Sequence, residues 1–359
     1  MNILSIESSC DETAVAILHA DDPKGLKTIP KNPHFDLKSN IVNSQIDIFK
    51  AYGGVIPEVA ARSHLEAILP ALHQALDDAN YTWPDINYIS VTHTPGLLGS
   101  LLIGTLTART LAILHNTPFY PVHHLKSHIY ANWLNTEKTP EFPLLALVIS
   151  GGHTQIIKMT AHNNFEIIGT TLDDAVGECF DKIAKILGLP YPGGPSISKA
   201  AANGNPEKYQ FPHPKVDNYD FSFSGLKTAV LRTVQKELNK PISFPSHELA
   251  KLLTDQQVSD FAASFEKTAV DILLEKLAKA LKDNPETNSI VFAGGVSANQ
   301  SLRDAAIEKY QGIPLFFPDK KFTGDNAAMV AAATYYEIAS GVQPSDPYHL
   351  DLLPRSPIH

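Results

Sequence analysis

The chain has 359 residues, 43% of them apolar and 19% charged, which is too long for one ordinary core and normal for a two-lobed globular enzyme. Its 38 acids against 29 bases leave a formal charge of −9, which argues against a protein that coats nucleic acid by bulk electrostatics. Two isolated cysteines, Cys10 and Cys179, make no disulfide framework and point to a reducing compartment.

The opening "NILSIESSCDETAVAIL" predicts strand, polar turn, strand, with Ile3, Leu4 and Ile6 before the turn and apolar residues 14–18 after it. It lacks the basic start and long apolar run of a signal peptide. Residues 20–40, rich in Asp, Pro, Lys and Asn, predict an exposed connection. Pro57 opens a predicted helix over 57–76. The run "LLGSLLIGTLTARTLAIL" (97–114) contains Arg109 and several hydroxyls, so it reads as a buried helix and not as a membrane span.

Pro121 reads as the start of a helix through "PVHHLKSHIY", whose spacing sets His124 and His128 on one face and turns His123 away. The polar stretch 134–142 predicts the boundary between lobes 1–135 and 136–359, with a last helix able to return to the first lobe. Residues 143–159 then repeat the opening layout about 140 residues later, around a Ser-Gly-Gly-His-Thr turn. This repeat predicts a duplicated lobe with both turns facing one cleft. Helices are predicted over 175–188, ending at Gly188, and over 258–283. Residues 289–310 predict a strand, a Gly-Gly turn and a helix capped by Ser297 or Asn299.

Three sets of residues carry chemistry. Glycine turns at 150–154 and 293–299 offer free backbone N–H groups to phosphate oxygens, the second at a helix N-terminus. Asp11 and Glu12 occupy the first turn, and Asp174, Glu178 and Asp181 follow helical spacing, suited to ribose hydroxyls or to a metal on phosphate. His124 and His128 have metal-ligand spacing, but Leu125, Lys126 and Ser127 stand between them where a zinc protease needs its glutamate. The protease reading thus loses its base. Asp325, in a turn opening a helix, is the best third ligand.

The passages "IESSCDET", "YGGVIPEVAARSH", "TPGLLGSLLIGT", "HHLKSHIYAN", "LVISGGHTQII", "TLDDAVGECFDK", "GLPYPGGP", "DFSFSGLKTAV", "AGGVSANQSLR" and "FTGDNAAMVA" together resemble one family, the universal tRNA threonylcarbamoyl-adenosine transferases of bacterial TsaD type. The resemblance runs from residue 5 to about 331. Thr94, Gln300 and Gly324 depart from its usual residues, and none of them removes a ligand.

The resemblance implies an α/β chain with the two-lobed ATPase fold of actin, Hsp70 and sugar kinases, built on duplicated ribonuclease-H-like cores. It implies one divalent ion, iron(II) or zinc, on His124, His128 and Asp325. It implies an adenine nucleotide, threonylcarbamoyl adenylate or ATP, along Val148, Ile149, Ser150, Gly151 and Gly152, with Asp181, Gly194 and Asn299. Asp11 and Glu12 become the catalytic candidates. The implied reaction moves the threonylcarbamoyl group to the exocyclic amine of adenosine 37 in a tRNA anticodon loop and releases AMP. The implied partners are an inactive paralogue and a small ATPase subunit, in a cytoplasmic homodimer or heterodimer without membrane contact. Residues 196–255 hold eight Lys/Arg against six Asp/Glu, a local charge of +2 that favours tRNA binding by an assembly over this chain alone. Two rivals remain in view: a same-fold carbamoyltransferase acting on a small molecule, and a non-catalytic scaffold.

Overall fold

The computed structural model describes residues 1–23, 28–134, 138–352, 354–356 and 358. The first half contains β1 (Asn2–Glu7), β2 (Glu12–Ala20), β3 (Phe35–Ser44), α1 (Ile46–Lys50), α2 (Pro57–Ala79), β4 (Tyr88–Thr94), α3 (Leu98–His115), β5 (Phe119–His123) and α4 (His124–Tyr130). The second contains β6 (Leu144–Ile149), β7 (Thr154–Ala161), β8 (Asn164–Thr170), α5 (Val176–Leu187), α6 (Gly193–Ala201), α7 (Ser224–Glu237), α8 (Ser246–Leu249) and α9 (Asp255–Asp283). It closes with β9 (Ser289–Ala293), α10 (Gln300–Lys309), β10 (Leu315–Phe316) and α11 (Ala327–Ala339).

The two sheets share one topology. In the first, the order is β3-β2-β1-β4-β5, antiparallel across β1–β2–β3 and parallel across β1–β4–β5. In the second, β8-β7-β6-β9-β10 reproduces that order and those directions strand for strand.

Strand alternation sorts the core into three layers. Leu4 and Ile6 face α2 and α3, while Ile3 faces the layer between the sheets. Leu144, Ala146 and Val148 enter that same middle layer, and Leu145, Leu147 and Ile149 face the helices of the second half. The middle layer is filled by α11, whose residues 327–333 are mostly alanine, with Met329 and Val330, and buried, and by Leu125 and Ile129 of α4. Small side chains let α11 approach β1 and β2 closely, so the last helix packs on the first sheet.

Several elements differ from expectation. Residues 35–40, read as exposed connection, begin β3, and residues 24–27 of that stretch lie outside the described residues. Residues 135–137 of the expected lobe boundary also lie outside them. Pro121 sits inside β5, an edge strand where a missing N–H costs little, and the helix starts at His124. The cap of α10 is Asn299, whose side chain accepts from Leu302 N at 2.8 Å. By length and composition α3 could cross a membrane. It instead buries Leu101, Gly104, Ala108 and Ala112 and exposes Leu98, Leu102 and Leu106, so it is half-buried where a wholly buried helix was expected. Gly104 is required there, because any Cβ would collide with Ser8 in the first turn.

Candidate metal and nucleotide site

The end of β5 delivers the histidines. His123 caps α4, its Nδ1 accepting from Leu125 N at 3.2 Å, while its Nε2 donates to Ser356 O at 3.1 Å. It is buried, engaged with Leu125 and Ser356, and stays outside the group formed by His124, His128 and Asp325, turned away from it as expected. His124 and His128 follow on the inner side of α4, only 6% and 1% exposed. Their Nε2 atoms reach Asp325 Oδ1 at 3.5 and 3.0 Å. Asp325 is held just before α11, where Asn326 caps the helix by accepting from Met329 N.

This trio fits a cation. Its ligand atoms all lie within 4.8 Å of one another, and bonds of about 2.0–2.2 Å to a common ion would need only a modest inward shift. Among the described residues neither ring nitrogen of buried His128 makes a regular hydrogen bond, although Nε2 pairs with Asp325 Oδ1 at 3.0 Å. Buried polar atoms are rarely left so without another role. Burial opposes charge on His124, but Asp325 and Glu7 outweigh it and raise its pKa to about 9. Burial pushes Asp325 upward, yet His124 and His128 pull it well below the usual carboxylate range.

Around the trio stand residues from both halves. Burial, aided by Asp325, raises the pKa of Asp11 and lifts that of Glu12 well above the ordinary carboxylate value. His64 of α2 braces this turn from behind, bonding Cys10 O through Nε2 at 3.0 Å and Thr13 Oγ1 through Nδ1 at 2.8 Å. From the second half, His153 has its pKa lowered to about 4 by burial, with His124 and His128 adding to the fall. The strand that leads into the Ser-Gly-Gly-His turn, β6, packs against α4, which carries the histidine pair. Burial raises the pKa of Tyr191, and Asp11 and Asp181 add to the rise.

The remaining candidates form a connected surface on the second half. Val148 and Ile149 are buried at the end of β6. Ser150 N donates to His153 O at 2.8 Å, and Gly151 and Gly152 are exposed with open space above them. Gly294, at φ +86°, passes directly against Ile149, where a side chain would collide with the backbone. Gly193 N donates to Asp181 at 2.6 Å, and Gly194 lies open at the start of α6. Burial raises Asp181 to about 6.

Two expectations change at this surface. Asp174 precedes α5 and joins Glu178 in pairing with Lys182, at 2.6 and 2.9 Å, so the three acids do not act as one face. The Asn299 carboxamide is fully used inside the protein, donating to Glu266 at 2.7 Å and Ser198 at 3.0 Å besides its cap. Glu7, Thr92, His64, His153 and Tyr191 were not singled out from sequence. Glu7, His64, His153 and Tyr191 nevertheless lie inside the passages that carry the family resemblance, and His153 is also the polar residue of a repeated turn.

Two five-stranded units of identical order, with Asp325 of the second half meeting His124 and His128 of the first, define a two-lobed ATPase-type fold. HypF in its phosphate- and nucleotide-bound form shares it, with a TM-score of 0.57 at 14% identity over 96% of this chain and 47% of that one, a likeness of fold alone. The model of the family TsaD, tRNA N6-adenosine threonylcarbamoyltransferase, matches residues 36–332, and the chain belongs to this family. Among curated relatives of that name, one from Symbiobacterium thermophilum is 46% identical over 95% of this chain and 93% of its own. Another, from Kosmotoga olearia, is 46% identical over 95% of both chains. The chain is thus a transferase that modifies tRNA, in preference to a small-molecule carbamoyltransferase or a scaffold.

Proposed function

We propose that the chain transfers the threonylcarbamoyl group from threonylcarbamoyl adenylate to N6 of adenosine 37, in tRNAs that read codons starting with A. The observation that carries this reading is the packing of α4, which bears His124 and His128, against β6, whose end leads into the backbone amides of exposed Gly151 and Gly152. A donor lying along those amides would have its carbamoyl carbon beside the trio and the Asp11–Glu12 turn. In the transfer the amine nitrogen bonds to the carbamoyl carbon, the carbon–oxygen bond to phosphate breaks, and AMP leaves with the electron pair.

His124, His128 and Asp325 would hold the metal, iron(II) or zinc, which supplies Lewis acidity when bound. Asp11 and Glu12 are the carboxyls placed to take the amine's proton. The glycine turns, with Asp181 and Gly194, orient the nucleotide and spend backbone rather than charge on it. Residues 1–135 and 136–359 act as the two lobes, with α11 returning to the first.

Exposed leucines support partner docking. Leu65 and Leu69 on α2, and Leu98, Leu102 and Leu106 on α3, repeat every fourth residue on two helices that pack together. Such a face suits the inactive paralogue, making a heterodimer, with the small ATPase subunit as a further partner. An assembly of that kind also answers the −9 charge, and a tRNA substrate places the protein in the cytoplasm. The test is mass spectrometry of tRNA nucleosides from cells depleted of the protein. Threonylcarbamoyladenosine should vanish and return with the wild-type gene; unchanged levels would sink the reading.

A further inference from the structure

Glu7 ends β1 with no solvent exposure, and its carboxylate reaches both the turn after β1 and His124. Oε1 accepts from Ser9 N at 2.6 Å, which anchors the turn that carries Asp11 and Glu12. Oε2 accepts from Thr92 Oγ1 at 2.6 Å and faces His124 Nδ1 at 3.1 Å. Ser9 Oγ lies 3.2 Å from the same Nδ1, but a neutral hydroxyl competes poorly with a buried carboxylate for an imidazole proton. The opposite ring nitrogen, Nε2, points to Asp325.

We propose that Glu7 is a positioning residue that fixes the His124 tautomer, holding the proton on Nδ1 so that the Nε2 lone pair faces the metal. This rests on the metal reading above. An imidazole offers one lone pair when neutral, and the hydrogen bond at one nitrogen decides which nitrogen can bind an ion. Carboxylates in this outer position commonly raise a histidine's basicity and lock its ring. Here the same carboxylate also holds the acid turn, so the metal ligand and the catalytic acids keep a common register. Glutamine cannot replace it, because Ser9 N–H and His124 Nδ1–H each need an acceptor and an amide has only one oxygen.

The test uses the full chain, made metal-free, labelled with 15N-histidine and titrated with zinc. The His124 resonances are assigned by their loss in His124→Gln. Wild type should show His124 protonated at Nδ1 and zinc-bound at Nε2. Glu7→Gln should bind zinc about 10–100-fold more weakly. His124 bound through Nδ1, or wild-type zinc affinity in Glu7→Gln, overturns the role of Glu7 and leaves the metal reading standing. A wild-type protein that binds no zinc overturns both. The wild-type spectrum decides the tautomer even where the variant fails to fold.

Discussion

The turn after β1 and the turn after β6 occupy equivalent places in two sheets of the same order, yet they are built from opposite materials. The first carries Ser9 and Asp11, both buried, with Glu7 beneath and His64 behind. The second carries Gly151 and Gly152, exposed and with room above both. One scaffold was thus elaborated in two ways. The first half invests in charged side chains kept from water, where each must be matched by a partner. The second presents main chain, whose amides attract phosphate without any buried charge. Damage to the first should therefore stop chemistry, and damage to the second should weaken binding.

The largest expected effect is at Asp325, which serves both imidazoles at once. Asp325→Asn keeps the shape but removes the charge that holds His124 and His128 toward one point. Metal content should fall to background, and transfer should drop by more than about 100-fold, beyond the loss expected for an outer partner. Metal analysis and a single-turnover transfer assay check this. Normal metal with normal activity would erase the contrast between the two turns.

A smaller effect is expected at the bare turn. Gly151→Val has space for its side chain, so the melting temperature should stay within about 1 °C, as for an ordinary surface change. The branched side chain would cover the amides, raising the KM for the adenylate about 10-fold with kcat nearly constant, the pattern of lost ground-state binding. A fall in kcat with KM unchanged would place the turn in the chemistry and not in binding.

What could be read from the sequence follows the same division. The duplication was legible because both units announce themselves as apolar run, polar turn, apolar run. The trio was legible because His124 and His128 lie four residues apart and Asp325 sits just before a helix. Glu7 was not, since its partners Thr92 and His124 are 85 and 117 residues away and only the fold brings them together. The edge strand β3, which pairs with β2, was hidden by its place at the sheet edge, where most of its residues are only partly buried or exposed and no apolar run marks it. Pro121 misled for a related reason: at an edge a proline can sit in a strand, so it is no sure sign of a helix start. The misplaced start made His123 look idle, whereas it caps the ligand-bearing helix and ties it to Ser356.

The smallest effect sharpens the comparison by asking whether the second half holds any charge under strain. Asp181 is its one candidate-site acid with a raised pKa, about 6, owing first to burial and then, against the Gly193 N–H, to Glu178 and Asp11. Its unfolded value is near 3.8. Below about pH 4 the carboxyl is protonated in both states and costs nothing. Between about pH 4 and 6 the folded protein holds the proton more tightly, so stability falls as pH rises through this window and then levels off. Asp181→Asn stays neutral and can still accept from Gly193 N, so it should be more stable than wild type at pH 7.5. Partial exposure screens the charge, and the gain should be under about 1 kcal/mol. At pH 4 the advantage should shrink to nearly nothing. Urea unfolding of both proteins at the two pH values measures it. An equal gain at both would mean that shape and not charge separates them, and a loss at pH 7.5 would mean that the carboxylate is paired as firmly as those of the first half.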